Sequence, residues 1–300
     1  MLLQQLINGL TLGGVYAIIA IGYTMVYGIL ELINFAHGEI YMLGAYLAII
    51  FLGLFTAMGL TAASLPLALI LTAILTIIFC SAYGFTMEKV AYKPLRNAPR
   101  LSPLISAIGV SIFLQNYVML TQGATDKVFP QRFGEAGFQF MNINVTYLQA
   151  MIILVSGLLM FFLHLFIHKT RMGKAMRATA QDKTMAALVG INVDSIISVT
   201  FIIGAGLAAV AGIMVASYYG LVNYFIGYIA GIKAFTAAVL GGIGNIPGAM
   251  LGGIILGLVE STGAAYISSE YKDAYAFIIL IVILLIKPSG ILGKTTEEKV

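Results

Sequence analysis

The chain has 300 residues, of which 60% are hydrophobic and only 9% charged, and its formal net charge is +4. A soluble globular protein carries roughly a quarter charged residues, so this chain has too few to solvate a surface. Its mean hydropathy of +1.00 leaves an integral membrane protein as the reading, and the small positive excess is weak ground for a nucleic-acid partner.

Continuous apolar runs cover residues 6–29, 36–56, 64–86, 102–121, 147–168 and 195–217. Each is near the roughly 20 residues a helix needs to cross a hydrocarbon core. The runs are unbroken rather than alternating, which favours helices over a barrel. The first has no basic flank and is too long for the core of a signal peptide, so it is expected to be retained.

Between the first two runs stands "INFAHGE", residues 33–39. Asn34 suits an N-cap, because its side-chain oxygen accepts a backbone N–H of the following turn. Gly38 allows close backbone approach, and Glu39 suits the positive end of the helix dipole. Two readings stand. In one, Asn34, Phe35, His37, Gly38 and Glu39 open a half-helix that faces a substrate path. In the other, residues 30–39 form an ordinary wet turn with Glu31, His37 and Glu39 in water.

The connectors set the orientation. Lys89, Lys93, Arg96 and Arg100 lie in one, and Lys169, Arg171, Lys174, Arg177 and Lys183 in another. Short basic loops mark the cytoplasmic side. The connector at 122–147 balances Lys127 and Arg132 against Asp126 and Glu135 and suits the outside. Parity then puts the N-terminus outside.

The second basic loop interleaves its charges with Met172, Met176 and Ala180 at helical spacing, followed by Ala186, Ala187 and Leu188. The spacing predicts one short amphipathic helix along the cytoplasmic face, ending near Gly190. It would rest on lipid or dock on a partner protein. His164 and His168, spaced i and i+4 just before it, read as interfacial residues.

Beyond residue 218 the pattern is harder. One apolar stretch is interrupted by Gly241, Gly242, Gly244, Asn245, Pro247 and Gly248. Glycine permits unusual backbone angles, and Pro lacks an N–H. A hinge or cavity wall, a plain turn, and small-residue packing are all open. Lys233 and Glu260 flank it, either snorkelling to an interface or pairing. A last run covers 274–287, followed by a polar tail that favours the cytoplasm. The expectation is an all-α polytopic transmembrane bundle, one membrane domain over 1–300, with about eight or nine spans, some broken or re-entrant. Seven crossings plus a re-entrant segment is the competitor.

Several chemistries are excluded. Cys80 is the only cysteine, so no internal disulfide forms. No His/Cys set has metal-ligand spacing, and no nucleophilic triad can be assembled. "PSGILGKTT" imitates a phosphate loop at Gly293-Lys294-Thr295, but Pro288 stands where its first Gly belongs. The chain is not expected to bind ATP or to be an enzyme.

Five stretches carry a family resemblance in order: "GLTLGGVYAIIAIGYTMVYGI" with "INFAHGEIYMLGAYLA", "SAIGVSIFLQNYV", "RMGKAMRATAQDKTMAALVGINVDSII", "KAFTAAVLGGIGNIPGAMLGG" and "KPSGILGK". Together they resemble the LivH-type permeases of branched-chain amino acid ABC transporters. The resemblance implies a subunit of the bacterial inner membrane that pairs with a second, homologous permease. Two cytoplasmic ATPase subunits would use the ATP, and a periplasmic binding protein would deliver leucine, isoleucine or valine. The ATPase-coupling segment maps onto Arg171, Met172, Met176, Arg177, Ala178, Asp182, Ala186, Gly190 and Asn192. An ion-gradient-driven amino-acid transporter is the alternative; it would need buried carboxylates in mid-span, and Glu260 is the one candidate.

Overall fold

A computed structural model describes residues 2–96, 98–99, 101–130, 136–140 and 143–293. Arg100, Arg132, Glu135, Lys294 and Thr295, used in the loop and tail readings above, lie outside the described residues.

The six apolar runs become helices α1 (Leu2–Leu30), α2 (His37–Ala57), α4 (Leu65–Met87), α5 (Leu101–Gln122), α6 (Tyr147–Lys169) and α9 (Val193–Tyr219). A single turn, α3 (Leu60–Ala63), precedes α4. The basic loop holds α7 (Arg171–Gln181) and α8 (Lys183–Leu188). The final third folds as α10 (Ile226–Gly241), α11 (Ile246–Tyr266) and α12 (Lys272–Ile286). Among the described residues, seven helices are long and apolar enough to cross a bilayer: α1, α2, α4 with its extension to Leu95, α5, α6, α9 and α11. With 16 and 15 residues, α10 and α12 reach only about 24 Å and about 22 Å, short of a roughly 30 Å core.

Local chemistry sets the boundaries. Thr146 and Gln149 form a reciprocal capping box at the start of α6. Thr170 caps α7 through Gly173 N, and Asn192 caps α9 through Ser195 N. Gly220, at φ 69°, ends α9 in the left-handed region. Beyond Met87, α4 loosens into a π-helical turn at Glu88–Tyr92.

Four short strands lie among the described residues. β1 (Lys127–Val128) pairs antiparallel with β4 (Leu221–Val222), and β2 (Gly137–Phe140) with β3 (Ile143–Thr146). Gln4 and Asn144 exchange two hydrogen bonds of 3.0 and 2.9 Å, which ties β3 to the start of α1.

The core is built around α1, buried along most of its length, while α4, α5 and α6 turn large apolar side chains outward. Lipid supplies no hydrophobic drive between helices, so close backbone packing must hold them. Gly9 and Gly13 on α1 face Gly253 and Gly257 on α11, each pair spaced by four. A methyl group built on Gly13 would sit 2.8 Å from Ile254 Cα. Gly13→Ala is therefore expected to cost about 1–3 kcal/mol through overpacking. Gly109 on α5 has no atom within 4 Å of its Cβ position, so Gly109→Ala should change stability by less than about 0.5 kcal/mol. Unfolding curves in mild detergent check the pair, and equal midpoints would refute the packing argument.

Candidate functional site

The 33–39 segment folds back into the bundle. After α1 ends, Glu31 takes φ 58°, unusual for a residue with a Cβ, and the chain returns along α1. His37 then packs against Gly22, with its Nε2 in the notch that Gly22 leaves. Gly22 lies about 12 Å of helix before the end of α1, so α2 begins well inside the end of its neighbour. Asn34, His37 and Glu39 are all buried. Gly38 meets α10 closely: a methyl group there would lie 2.9 Å from Gly231 Cα. Glu39 Oε1 accepts from Ser111 Oγ of α5 at 3.0 Å, and its Oε2 is buried without a hydrogen bond among the described residues. Phe35 sits 6.3 Å from the Phe235 ring of α10.

Asn34 does not do what its position suggests. The residue flanking α2 is Ala36, and no side chain caps it. Asn34 Oδ1 instead accepts from Tyr92 Oη at 2.7 Å, while its backbone carbonyl takes the N–H of His37. A distant, buried hydroxyl outcompetes the adjacent backbone because it would otherwise be desolvated and unpaired.

The glycine-rich break is a turn between α10 and α11. Gly242 and Gly244 have φ of 105° and 89°. Asn245 caps α11 through Gly248 N at 3.2 Å, with Pro247 in the first turn. Gly241 and Gly248 meet backbone to backbone. The tail returns to close the turn: Ile291 N donates to Leu240 O and Leu292 N to Gly241 O, at 2.8 and 3.0 Å. Those carbonyls at the end of α10 would otherwise lack partners. The break thus combines the turn and small-residue readings. A crevice of about 10 Å³ bordered by Tyr27, Ile33, Phe235 and Ile243 lies between the two breaks. That crevice is too small for an amino acid.

The basic strip is two helices rather than one. Asp182 breaks it, and its Oδ1 accepts from Thr184 N and Met185 N to start α8. The buried stripe of α7 is Gly173, Met176 and Thr179; Met172 and Ala180 are exposed, as are Arg171 and Arg177. Ala178 is half-buried, and Ala186 is the buried residue of α8. Met185, Leu188 and Val189 are 61%, 75% and 76% exposed. Gly190, at φ 88°, follows in open space, and Asn192 starts α9. A cavity of about 70 Å³ joins this strip to the bundle, bordered by Gly28, Met176, Arg177, Thr200, Gly244 and Ile246. Met176 and Arg177 of α7 and Gly244 of the glycine-rich turn therefore border one cavity. Beside them, Glu88 is fully buried. It pairs with Arg96 and accepts from Ser198 Oγ at 2.9 Å, while Arg96 and Lys93 both reach Asp194. This network ties the end of α4 to the start of α9.

Lys233 and Glu260 pair rather than snorkel. Lys233 Nζ lies 2.9 Å from Glu260 Oε1 and 2.6 Å from Asp273 Oδ1. Tyr16 Oη donates to Glu260 Oε1 at 3.1 Å, and Lys272 Nζ lies 3.3 Å from the same oxygen. Lys272 and Asp273 escaped the sequence reading, although a Lys-Asp pair at the start of the last apolar run was their signal. His164 and His168 stack at 4.2 Å between ring centroids, away from these features. Among the described residues no group of three metal-ligating side chains exists.

Comparison with known proteins gives a consistent picture. The family model described as "Branched-chain amino acid transport system / permease component" matches residues 5–284. The high-affinity branched-chain amino acid transport system permease protein BraD of Pseudomonas aeruginosa is 54% identical, covering 99% of this chain and 98% of its own. The LivH permease protein of Salmonella typhimurium is 52% identical over 99% and 97%. A probable LivH of Methanocaldococcus jannaschii is 29% identical over 92% and 88%. No solved structure matches.

Proposed function

The chain belongs to the permease-component family of branched-chain amino acid transport systems, and from that premise we propose that it is the membrane-spanning subunit of an ATP-driven importer. Its cargo would be leucine, isoleucine or valine, delivered by a periplasmic binding protein. A second, homologous permease would complete the path, and two cytoplasmic ATPase subunits would bind and hydrolyse ATP, with no cofactor held by this chain. The N-terminus lies outside and the C-terminus in the cytoplasm of a bacterial inner membrane.

One observation supports this reading: α7 and α8 form a helical pair with one face buried against the bundle, a basic free face on α7 and a cluster of exposed apolar side chains at the end of α8. Gly173, Met176, Thr179 and Ala186 are buried, whereas Met185, Leu188 and Val189 find no cover. Set among basic side chains in a connector rather than on a spanning helix, these exposed apolar groups suit a partner surface. Force applied there reaches α1 and α9, on which α7 packs directly, and the cavity that Met176 and Arg177 share with Gly244 leaves room for movement beside the turn. Arg171, Arg177, Asp182 and Asn192 surround the docking face. Movement at the turn would be passed to α10, whose packing on Gly38 and beside Phe35 governs the folded-back start of α2. Alternating access by rigid helices around such breaks is a general transporter device.

The ion-driven alternative draws on Glu39 and Glu260, both buried carboxylates. Glu260 is already neutralised by Lys233, which suits a coupling site poorly. Proteoliposomes separate the two readings. The complete set of subunits should accumulate labelled leucine only with internal ATP and external binding protein. Accumulation by the isolated chain under a proton gradient would overturn the importer.

A further inference from the structure

Resting on the functional reading above, we propose that the cavity beside the Lys233–Glu260 cluster is a transit site that holds the zwitterionic head of an aliphatic α-amino acid. The cavity measures about 250 Å³ and lies toward the end of the bundle where α1 begins. One wall is charged, with Lys233, Lys272 and Asp273 backed by Tyr16 and Tyr219. The facing wall is aliphatic: Leu12, Val215, Ile226, Ile229 and Ala230.

Three features point to a ligand rather than to a structural ion cluster alone. First, the cluster runs from floor to mouth. Glu260 is 0% exposed and Lys233 7%, while Lys272 is 32% and Asp273 57% exposed. Its two cations and two anions sum to zero, so a zwitterion adds no net charge to a desolvated place. Second, Glu260 Oε2 is buried with no hydrogen-bond partner among the described residues, although buried carboxylate oxygens are normally satisfied. Glu260 stands behind Lys233 and Tyr16, which border the cavity, so an ammonium group donates to Asp273 on the cavity wall while Glu260 supplies negative charge behind it. Third, α10 and α12 both begin at this cavity, with Ile226 and Lys272 on its border. The N–H groups of Ile226 and Lys272 already donate to Asn223 O and Ser269 O, so the next N–H groups of each first turn are the ones that favour a carboxylate, which Lys272 reaches as well. Lys272 is the cation least committed to Glu260, because it also donates to Tyr219 Oη at 3.0 Å. The aliphatic wall then takes a branched side chain.

The test uses the full chain in lipid nanodiscs, with Cys80→Ser and Leu221→Cys, since Leu221 borders the cavity and is half exposed. A water-soluble maleimide labels the new thiol. Leucine should slow labelling at least threefold. 4-Methylpentanoate, lacking the amine, and 3-methylbutylamine, lacking the carboxylate, should each protect less. Asp273→Asn should remove the protection by leucine while keeping that by 4-methylpentanoate. Equal protection by 3-methylbutanol would overturn the zwitterion site, and so would no protection by any probe. ATP-driven leucine uptake by the complete system is measured in parallel. Uptake without protection overturns this site and leaves the function standing. Protection without uptake supports the site and overturns the function.

Discussion

Lys233→Met should destabilise the bundle by about 3–5 kcal/mol, because it strips a partner from a fully buried carboxylate. Glu260 has no exposed surface, and Lys233 supplies its shortest contact at 2.9 Å. In the variant Glu260 keeps Tyr16 and the 3.3 Å contact with Lys272, which places the loss toward the lower end of that range. An unpaired charge buried inside a membrane bundle is costly. The double variant Lys233→Met/Glu260→Leu should recover most of the loss. Removing both charges leaves Lys272 and Asp273 as a neutral pair near the mouth and puts apolar atoms on the floor. Thermal unfolding in detergent, followed by helix content, checks the series. A single variant as stable as the parent would show that the cluster is hydrated, and would remove the reason for its buried geometry.

The same cluster shows where sequence reasoning stopped. The spans at 6–29, 36–56, 64–86, 102–121, 147–168 and 195–217 fall within four residues of the helices found, because continuous apolar composition is a local signal. The family's short apolar runs near the C-terminus were legible as irregular but not as three helices, since α10 and α12 are too short to show a full span. Pairing is not local. Asn34 reads as a cap from its neighbours, yet its partner Tyr92 is 58 residues away. Lys233 reads equally as snorkelling or paired until α11 and α12 bring Glu260 and Asp273 beside it. The tail that closes the glycine-rich turn at Leu240 and Gly241 is equally invisible in the turn itself. By contrast the split at Asp182 was available locally: an Asp two and three residues ahead of free N–H groups is a cap, and the basic periodicity around it masked the signal.

Leu188→Asp should abolish ATP-driven uptake, by tenfold or more, while changing stability by less than about 0.5 kcal/mol. The side chain is 75% exposed, so the substitution removes no internal packing and buries no charge in the isolated chain. In the assembled importer the same carboxylate would enter a desolvated apolar contact with no cation provided for it, a cost of several kcal/mol. Ala186→Asp is the informative contrast. Ala186 is buried at 2%, so that change should lower stability as well as uptake. Thiol crosslinks from Leu188→Cys, in the Cys80→Ser chain, should capture an ATPase subunit, and Asp at 188 should prevent co-purification of that subunit. Normal uptake by Leu188→Asp would mean that the free face of α8 transmits no force. Lost uptake with the ATPases still bound would place the damage after docking, in the transfer of motion through α7 to the cavity bordered by Met176 and Gly244.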